Sequence, residues 1–167
     1  ETEWVAGIDI LSGDEIHIPF EAVVLDRTRD ARYWMSSDGL ASGNSVEEAI
    51  FHGVLERIER DAQVLWQVGG GANLYAGCVD PRGFEDGALN GLVDKIEASG
   101  LALRLFDITS DIAIPCFTAM LGPRELIPVS RHGHADRDIR LVEVTGGTGA
   151  HPSPVRAAIR EVTEAVQ

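Results

Sequence analysis

The chain has 167 residues, 44% hydrophobic and 25% charged, enough for one ordinary domain with a real core or for part of a larger one. Its 27 acidic residues outnumber 14 basic ones, and the net charge of −13 argues against a surface that wraps nucleic acid. It leaves room for a nucleotide, because a metal ion can bridge carboxylates to phosphates. No apolar run is long enough to cross a membrane, and no signal-peptide pattern is present.

In chain order, residues 3–10 and 15–20 alternate as two strands joined by the Ser12-Gly13-Asp14 turn, and residues 22–26 read as a short third strand. Residues 27–44 form a polar, small-residue loop. Ser45 is an N-cap, and Glu48 three residues later completes a capping box. The periodicity predicts a helix from Val46 to about Val68, with Val46, Ile50, Val54, Ile58 and Leu65 on an apolar face and Glu48, His52, Glu56 and Glu59 opposite. Gly69-Gly70-Gly71 ends it. A second helix spans residues 84–98 and stops at Gly100. Residues 101–108 and 113–121 are expected as adjacent strands. Residues 123–138 form a polar loop with His132 and His134, and 139–144 a further strand. The Gly146–Gly149 run reads as a tight turn. Ser153 caps the last helix, and Pro154 takes its first position. Strands alternating with helices predict an α/β or α+β fold.

Both chain ends shape the domain expectation. Glu1 is not a methionine, and Gln167 falls in mid-helix with no Gly, Asn or Pro to stop it. Residues 1–167 are therefore expected to be part of a single domain, truncated at the C-terminus and at the N-terminus. The two cysteines, Cys78 and Cys116, match no metal or redox motif and read as reduced residues of a cytoplasmic protein.

The chemistry rests on two stripes. His52, Glu56 and Glu59 lie on adjacent turns of one helix face, and Arg160, Glu164 and Gln167 do the same on the last helix, opposite Val155, Ala158, Val162 and Val166. Carboxylates so spaced suit Mg²⁺, which takes a few protein oxygens and completes its shell with phosphate and water. Each stripe alone describes a solvated helix face equally well, and that is the commoner meaning. Two such stripes facing each other would make a nucleotide site. Neither Gly39–Gly43 nor Gly146–Gly149 matches a Walker or dinucleotide loop. His132-Gly133-His134 lacks a third ligand at useful spacing, and no serine stands in a nucleophile elbow.

Three ordered blocks carry a family resemblance. Residues 36–62 (SSDGLASGNSVEEAIFHGVLERIERDA) hold a Gly-Leu-Ala-x-Gly-Asn turn entering a helix that ends Glu-x-x-Glu-Arg-Asp. Residues 104–117 (RLFDITSDIAIPCF) form a strand–turn–strand block. Residues 147–167 (GTGAHPSPVRAAIREVTEAVQ) place a Gly-Ala-His-Pro turn before a helix bearing Thr-Glu-Ala-x-Gln. Together they resemble the YcaO superfamily. The resemblance implies a mixed β-sheet with packed helices, binding of ATP and Mg²⁺, and phosphorylation of a peptide backbone amide. The product would be an azoline or a thioamide in the maturation of a ribosomal peptide natural product. It implies Glu56, Glu59, Glu164 and Gln167 as Mg²⁺ ligands, and Ser37, Gly39, Asn44, His52 and Arg160 as nucleotide-binding residues. Asp38 stands where the family commonly has Asn. The implied partners are a precursor peptide and a leader-binding or sulfur-delivery protein, with no nucleic acid or membrane, and a homodimer is an allowed assembly. The rival expectation is a YcaO-like scaffold that binds a partner maturation protein without catalysis.

Overall fold

The protein is described by a computed structural model covering residues 2–26, 28, 32–33, 36–69, 77–124 and 144–167. The first unit is a hairpin of β1 (Trp4–Ile8) and β2 (Glu15–Pro19), antiparallel with Trp4 opposite Pro19 and Ile8 opposite Glu15. Asp9 builds its turn. Its carboxylate accepts the Leu11 and Ser12 N–H groups at 2.8 and 2.9 Å, and Gly13 supplies the positive φ of 78°. The third strand expected over 22–26 is not formed. Phe20–Val23 instead makes one helical turn, α1, closed by the Val24 N–H on the Phe20 carbonyl at 3.1 Å, and residues 24–26 have no regular structure.

Helix α2 (Val46–Val68) begins at the expected cap, with the Ser45 Oγ accepting the Glu48 N–H at 3.2 Å. The return half of the box is shifted by one residue. The Glu48 carboxylate accepts from Asn44, backbone N–H at 2.6 Å and side-chain Nδ2 at 2.9 Å. A short strand β3 (Cys78–Val79), which the sequence pattern did not announce, precedes a 3₁₀ turn at Pro81–Phe84. Helix α3 (Gly87–Ala98) is capped by Asp86 and left through Gly100 at φ 83°.

The main sheet adds β4 (Leu101–Asp107), β5 (Cys116–Pro123) and β6 (Thr145–Ala150), in the order β3-β4-β5-β6, every pairing antiparallel. Helix α4 (Pro154–Val166) follows. This is an α+β arrangement of helices on antiparallel sheets. The glycine run expected as a turn is strand β6. Residues 139–143 of the predicted strand, and His132 and His134, lie outside the described residues, and Val144 precedes β6 without belonging to it.

Glycine in β6 has a packing reason. A Cβ on Gly147 would stand 2.7 Å from the Glu161 carbonyl oxygen and 2.8 Å from the Ala165 nitrogen. On Gly149 it would stand 2.8 Å from the Ala157 carbonyl oxygen. Helix α4 therefore rests directly on the backbone of this strand.

Strand alternation sends the two sheet faces to different helices. Leu103, Leu105, Phe117, Ala119 and Leu121 point to α3 and α4, where Leu89, Val93, Ala158 and Val162 complete an aliphatic core. Phe106, Cys116 and Met120 point the other way, to Ala62, Ile58 and Trp66 of α2. The face of α2 expected to be its core side is open except at Ile58, which packs on the core. Val46, Ile50, Val54 and Leu65 are exposed, while Gly53, Leu55, Glu59 and Ala62 are buried. The side toward the sheet is set by the small residues and the acid, because they admit the close approach that Phe106 and Trp66 then fill.

Candidate functional site

Helices α2 and α4 lie on opposite faces of the sheet, yet they meet at its end. Strand β6 is the last strand among the described residues, and the helices reach round it. There His52, Glu56 and Glu59 of α2 and Arg160, Glu164 and Gln167 of α4 line one cleft of about 440 Å³, with Arg60 and Thr148. The two stripes thus face a common space. Glu48, expected on the same stripe, is committed to the helix cap.

The loop before α2 closes one side. Leu40, Ala41 and Ser42 line the cleft; Ser37, Gly39 and Asn44 do not. Gly39 adjoins it indirectly, its N–H donating to Glu56 Oε2 at 3.1 Å from a backbone with φ 82°. Its carbonyl presses on α2 so closely that a Cβ on Gly53 would stand 2.8 Å away. Asn44 spends its side chain on Glu48. Asp38 pairs with Arg57 at 2.8 Å and lies 3.7 Å from Arg60, which is 3.8 Å from Glu56. The Ser42 carbonyl stands 3.2 Å from His52 Nδ1 and fixes the ring at the mouth.

The cleft floor is acidic and buried at Glu59. Glu59 is 6% exposed, and burial pushes its carboxyl up to about 7; Arg60 opposes the shift, and Glu164 and Glu56 add to it. Glu161 is fully buried and was missed by the stripe pattern. Burial pushes it to about 10, against the Ala119 N–H that it accepts on Oε1, and with help from Glu164 and Glu59. Its Oε2 has no hydrogen-bond partner among the described residues. The signal was available: a Glu in register with Ala158, Val162 and Ala165, on the apolar side of the helix, is a buried polar group needing a reason. Glu164 Oε2 accepts the Thr148 N–H at 3.2 Å, wrapping the edge of β6.

The N-terminal end of α4 is cationic. Arg156 and Arg160 lie with His52 and His151 around a further hollow of about 350 Å³. Burial lowers the His151 pKa, and Arg156 and Arg160 lower it further. Its Nδ1 accepts the Ser153 N–H at 2.8 Å, and this replaces the side-chain cap expected from Ser153, which the structure does not form.

Among the described residues no three His, Cys, Asp or Glu side chains converge to form a metal centre by themselves. Burial is the main reason that Glu59 is held near neutrality, against Arg60 and Arg160, and Glu161 Oε2 lies buried with no hydrogen-bond partner among the described residues. Hard carboxylate oxygens suit Mg²⁺, which keeps waters and takes phosphate oxygens. With arginines and the N-terminal end of α4 at one end, the cleft is chemically suited to a polyphosphate.

Fold and site together define a sheet-edge acidic cleft in an α+β domain. The chain belongs to the YcaO family: the model described as YcaO cyclodehydratase, ATP- and Mg²⁺-binding, matches residues 1–167. An uncharacterized protein in the tfuA 3′ region of Rhizobium leguminosarum bv. trifolii is 43% identical over 167 residues, covering 98% of this chain and 38% of its own length. A heterocyclase solved in complex with substrate and cofactor superposes with a TM-score of 0.76 at 26% identity, over 99% of this chain and 20% of that one. A YcaO from Methanopyrus kandleri bound with AMPPCP and Mg²⁺ shares the fold, with a TM-score of 0.68 at 21% identity, over 98% of this chain and 39% of that one. The chain thus spans well under half the length of each. No helix among the described residues is long and apolar enough to cross a membrane.

Proposed function

We propose that this domain takes part in ATP- and Mg²⁺-dependent activation of a peptide backbone amide, leading to an azoline or a thioamide in a ribosomally made peptide. The observation that carries the reading is the meeting of α2 and α4 acids from opposite sheet faces in one cleft, with Glu59 buried on its floor. Family membership supports it through the ATP- and Mg²⁺-binding in the family's description.

In this reading Glu56, Glu59, Glu164 and Gln167 would hold Mg²⁺, which supplies charge neutralisation to the transferring phosphoryl group. Arg160 and His52 meet phosphate oxygens at the cationic end. Ser37, Gly39 and Asn44 shape the loop that positions Glu56. A nucleophile adds to the amide carbon, the former carbonyl oxygen takes the γ-phosphoryl group from ATP, and phosphate then leaves. A neighbouring Cys, Ser or Thr side chain gives the azoline; external sulfide gives the thioamide. The chain's own residues orient, exclude water and balance charge, which is where most of the rate of phosphoryl transfer arises. A precursor peptide, and a leader-binding or sulfur-delivery protein, are the partners.

The test is ATP turnover by the full-length protein with its peptide and partners. Glu56→Ala and Glu59→Ala should each lower turnover by about a hundredfold to a thousandfold, as loss of a transition-state charge contact does. Mass spectrometry of the peptide separates loss of water from exchange of oxygen for sulfur. Turnover absent in the wild type, or unchanged in both variants, would instead favour a non-catalytic scaffold.

A further inference from the structure

A second cavity of about 570 Å³ opens directly off the acidic cleft, sharing Arg60, Thr148 and Glu164 with it. Beyond that shared boundary every lining residue is uncharged. Gln63, Trp66 and Gln67 come from α2, Met120 from β5, and the backbone of Gly146 from β6. Trp66 is held against Phe106, ring centroids 5.7 Å apart.

The order of chemistry along α2 is directional. His52 stands beside the arginines, Glu56 and Glu59 at the acidic centre, and Gln63, Trp66 and Gln67 in the neutral cavity. At about 1.5 Å per residue this succession spans about 22 Å. Phosphoryl transfer places attacking and leaving oxygens in line across the phosphorus. With the polyphosphate entering from the cationic end, the acceptor must approach from the opposite side, which is the neutral cavity.

The cavity also has the chemistry of a peptide site. Thr148 turns its N–H outward to Glu164, so strand alternation turns the backbone groups of Gly146 to the same edge of β6. Among the described residues β6 is the end strand of the sheet, and a glycine at the contact lets another backbone lie alongside. The Gln67 amide, and the Gln63 amide whose Oε1 also accepts from Arg60 at 3.2 Å, carry donors and acceptors that a peptide backbone needs. Trp66 and Met120 offer apolar area for a small side chain.

We infer that this cavity is the acceptor subsite, where an extended, uncharged peptide segment lies along β6 with its reacting amide turned toward the Glu59 cleft. The inference rests on the phosphoryl-transfer reading and adds the place and class of the acceptor.

The experiment labels the full-length protein with 5-fluorotryptophan, assigns the Trp66 ¹⁹F resonance with Trp66→Phe, and measures nucleotide binding separately by calorimetry. The probes are Mg²⁺-AMPPNP and capped heptapeptides of Gly, Ala, Val, Ser and Cys, with counterparts carrying Asp or Lys at the centre. The neutral peptides should shift Trp66, the charged ones should bind at least tenfold more weakly, and Mg²⁺-AMPPNP alone should leave the resonance in place. The Gln63→Ala/Gln67→Ala variant should weaken the neutral peptides at least tenfold. A Trp66 shift on Mg²⁺-AMPPNP alone would make the cavity a base subsite and overturn the inference, as would silence toward every peptide. Failure of Mg²⁺-AMPPNP to bind in calorimetry, with the peptide shift intact, would sink the phosphoryl-transfer reading and leave a peptide groove.

Discussion

The two faces of the main sheet are built on different principles. The face toward α3 and α4 is a closed aliphatic core in which Leu89, Leu105 and Val162 are fully buried. The face toward α2 is thin, with Ala62, Phe106, Ile108, Cys116 and Ala150 as its buried apolar members and the buried Glu59 on the same helix. One face supplies stability, and the other gives it up to hold acids near the end of the sheet. Both meet at β6, whose glycines bring α4 close enough for Glu164 to turn round the edge. The lesson is that a strand half of glycine can be the hinge of a site, because its missing side chains decide what approaches.

The largest test breaks the meeting of the two faces. Gly147→Val would drive a side chain into backbone atoms of α4 at 2.7 and 2.8 Å, which cannot yield as a flexible side chain does. A loss of about 3 kcal/mol or more, or failure to fold, is expected in urea unfolding of the purified protein. Next, the two sides of α2 should answer differently. Leu55→Ala, on the buried side, should cost about 2–5 kcal/mol, whereas Val54→Ser, on the exposed side, should change stability by about 0.5 kcal/mol or less. Equal effects would mean that the open face is covered in solution.

A third test follows the acid on the thin face. The Glu59 carboxyl lies at about 7 in the fold against an ordinary 4.5. Below 4.5 it is protonated in folded and unfolded chains alike. Between the two values only the fold keeps the proton, so stability is greatest at low pH and is lost as pH rises through 7. The expected span is up to about 3 kcal/mol. Urea midpoints at pH 4.5 and 7.5 should differ less in Glu59→Gln than in the wild type; the difference that remains belongs to Glu161, which burial also pushes up. Smallest of all, Asp38→Asn removes a surface pair with Arg57, and thermal melting should register about 1 kcal/mol or less.

Much of the molecule was legible along the chain. The hairpin, the capped α2, the β4–β5 pair and the Pro-led α4 each announce themselves by period, cap or turn residue, signals that act between near neighbours. The paired stripes of His52, Glu56, Glu59 and of Arg160, Glu164, Gln167 were visible as candidates. Which side of α2 is buried was not, because Val46, Ile50, Val54 and Leu65 make the stronger apolar pattern and stay exposed. Glu161 was hidden by its place among core residues, and β6 by glycines that ordinarily mark a turn.

The sequence by itself determined local elements and the family, since periodicity, caps and ordered motifs are carried by residues a few positions apart. Only the tertiary structure decided that acids from two sheet faces share one cleft. That depends on how nearly two backbones approach across β6, a distance set by the missing Cβ atoms of Gly147 and Gly149 and written in no local pattern.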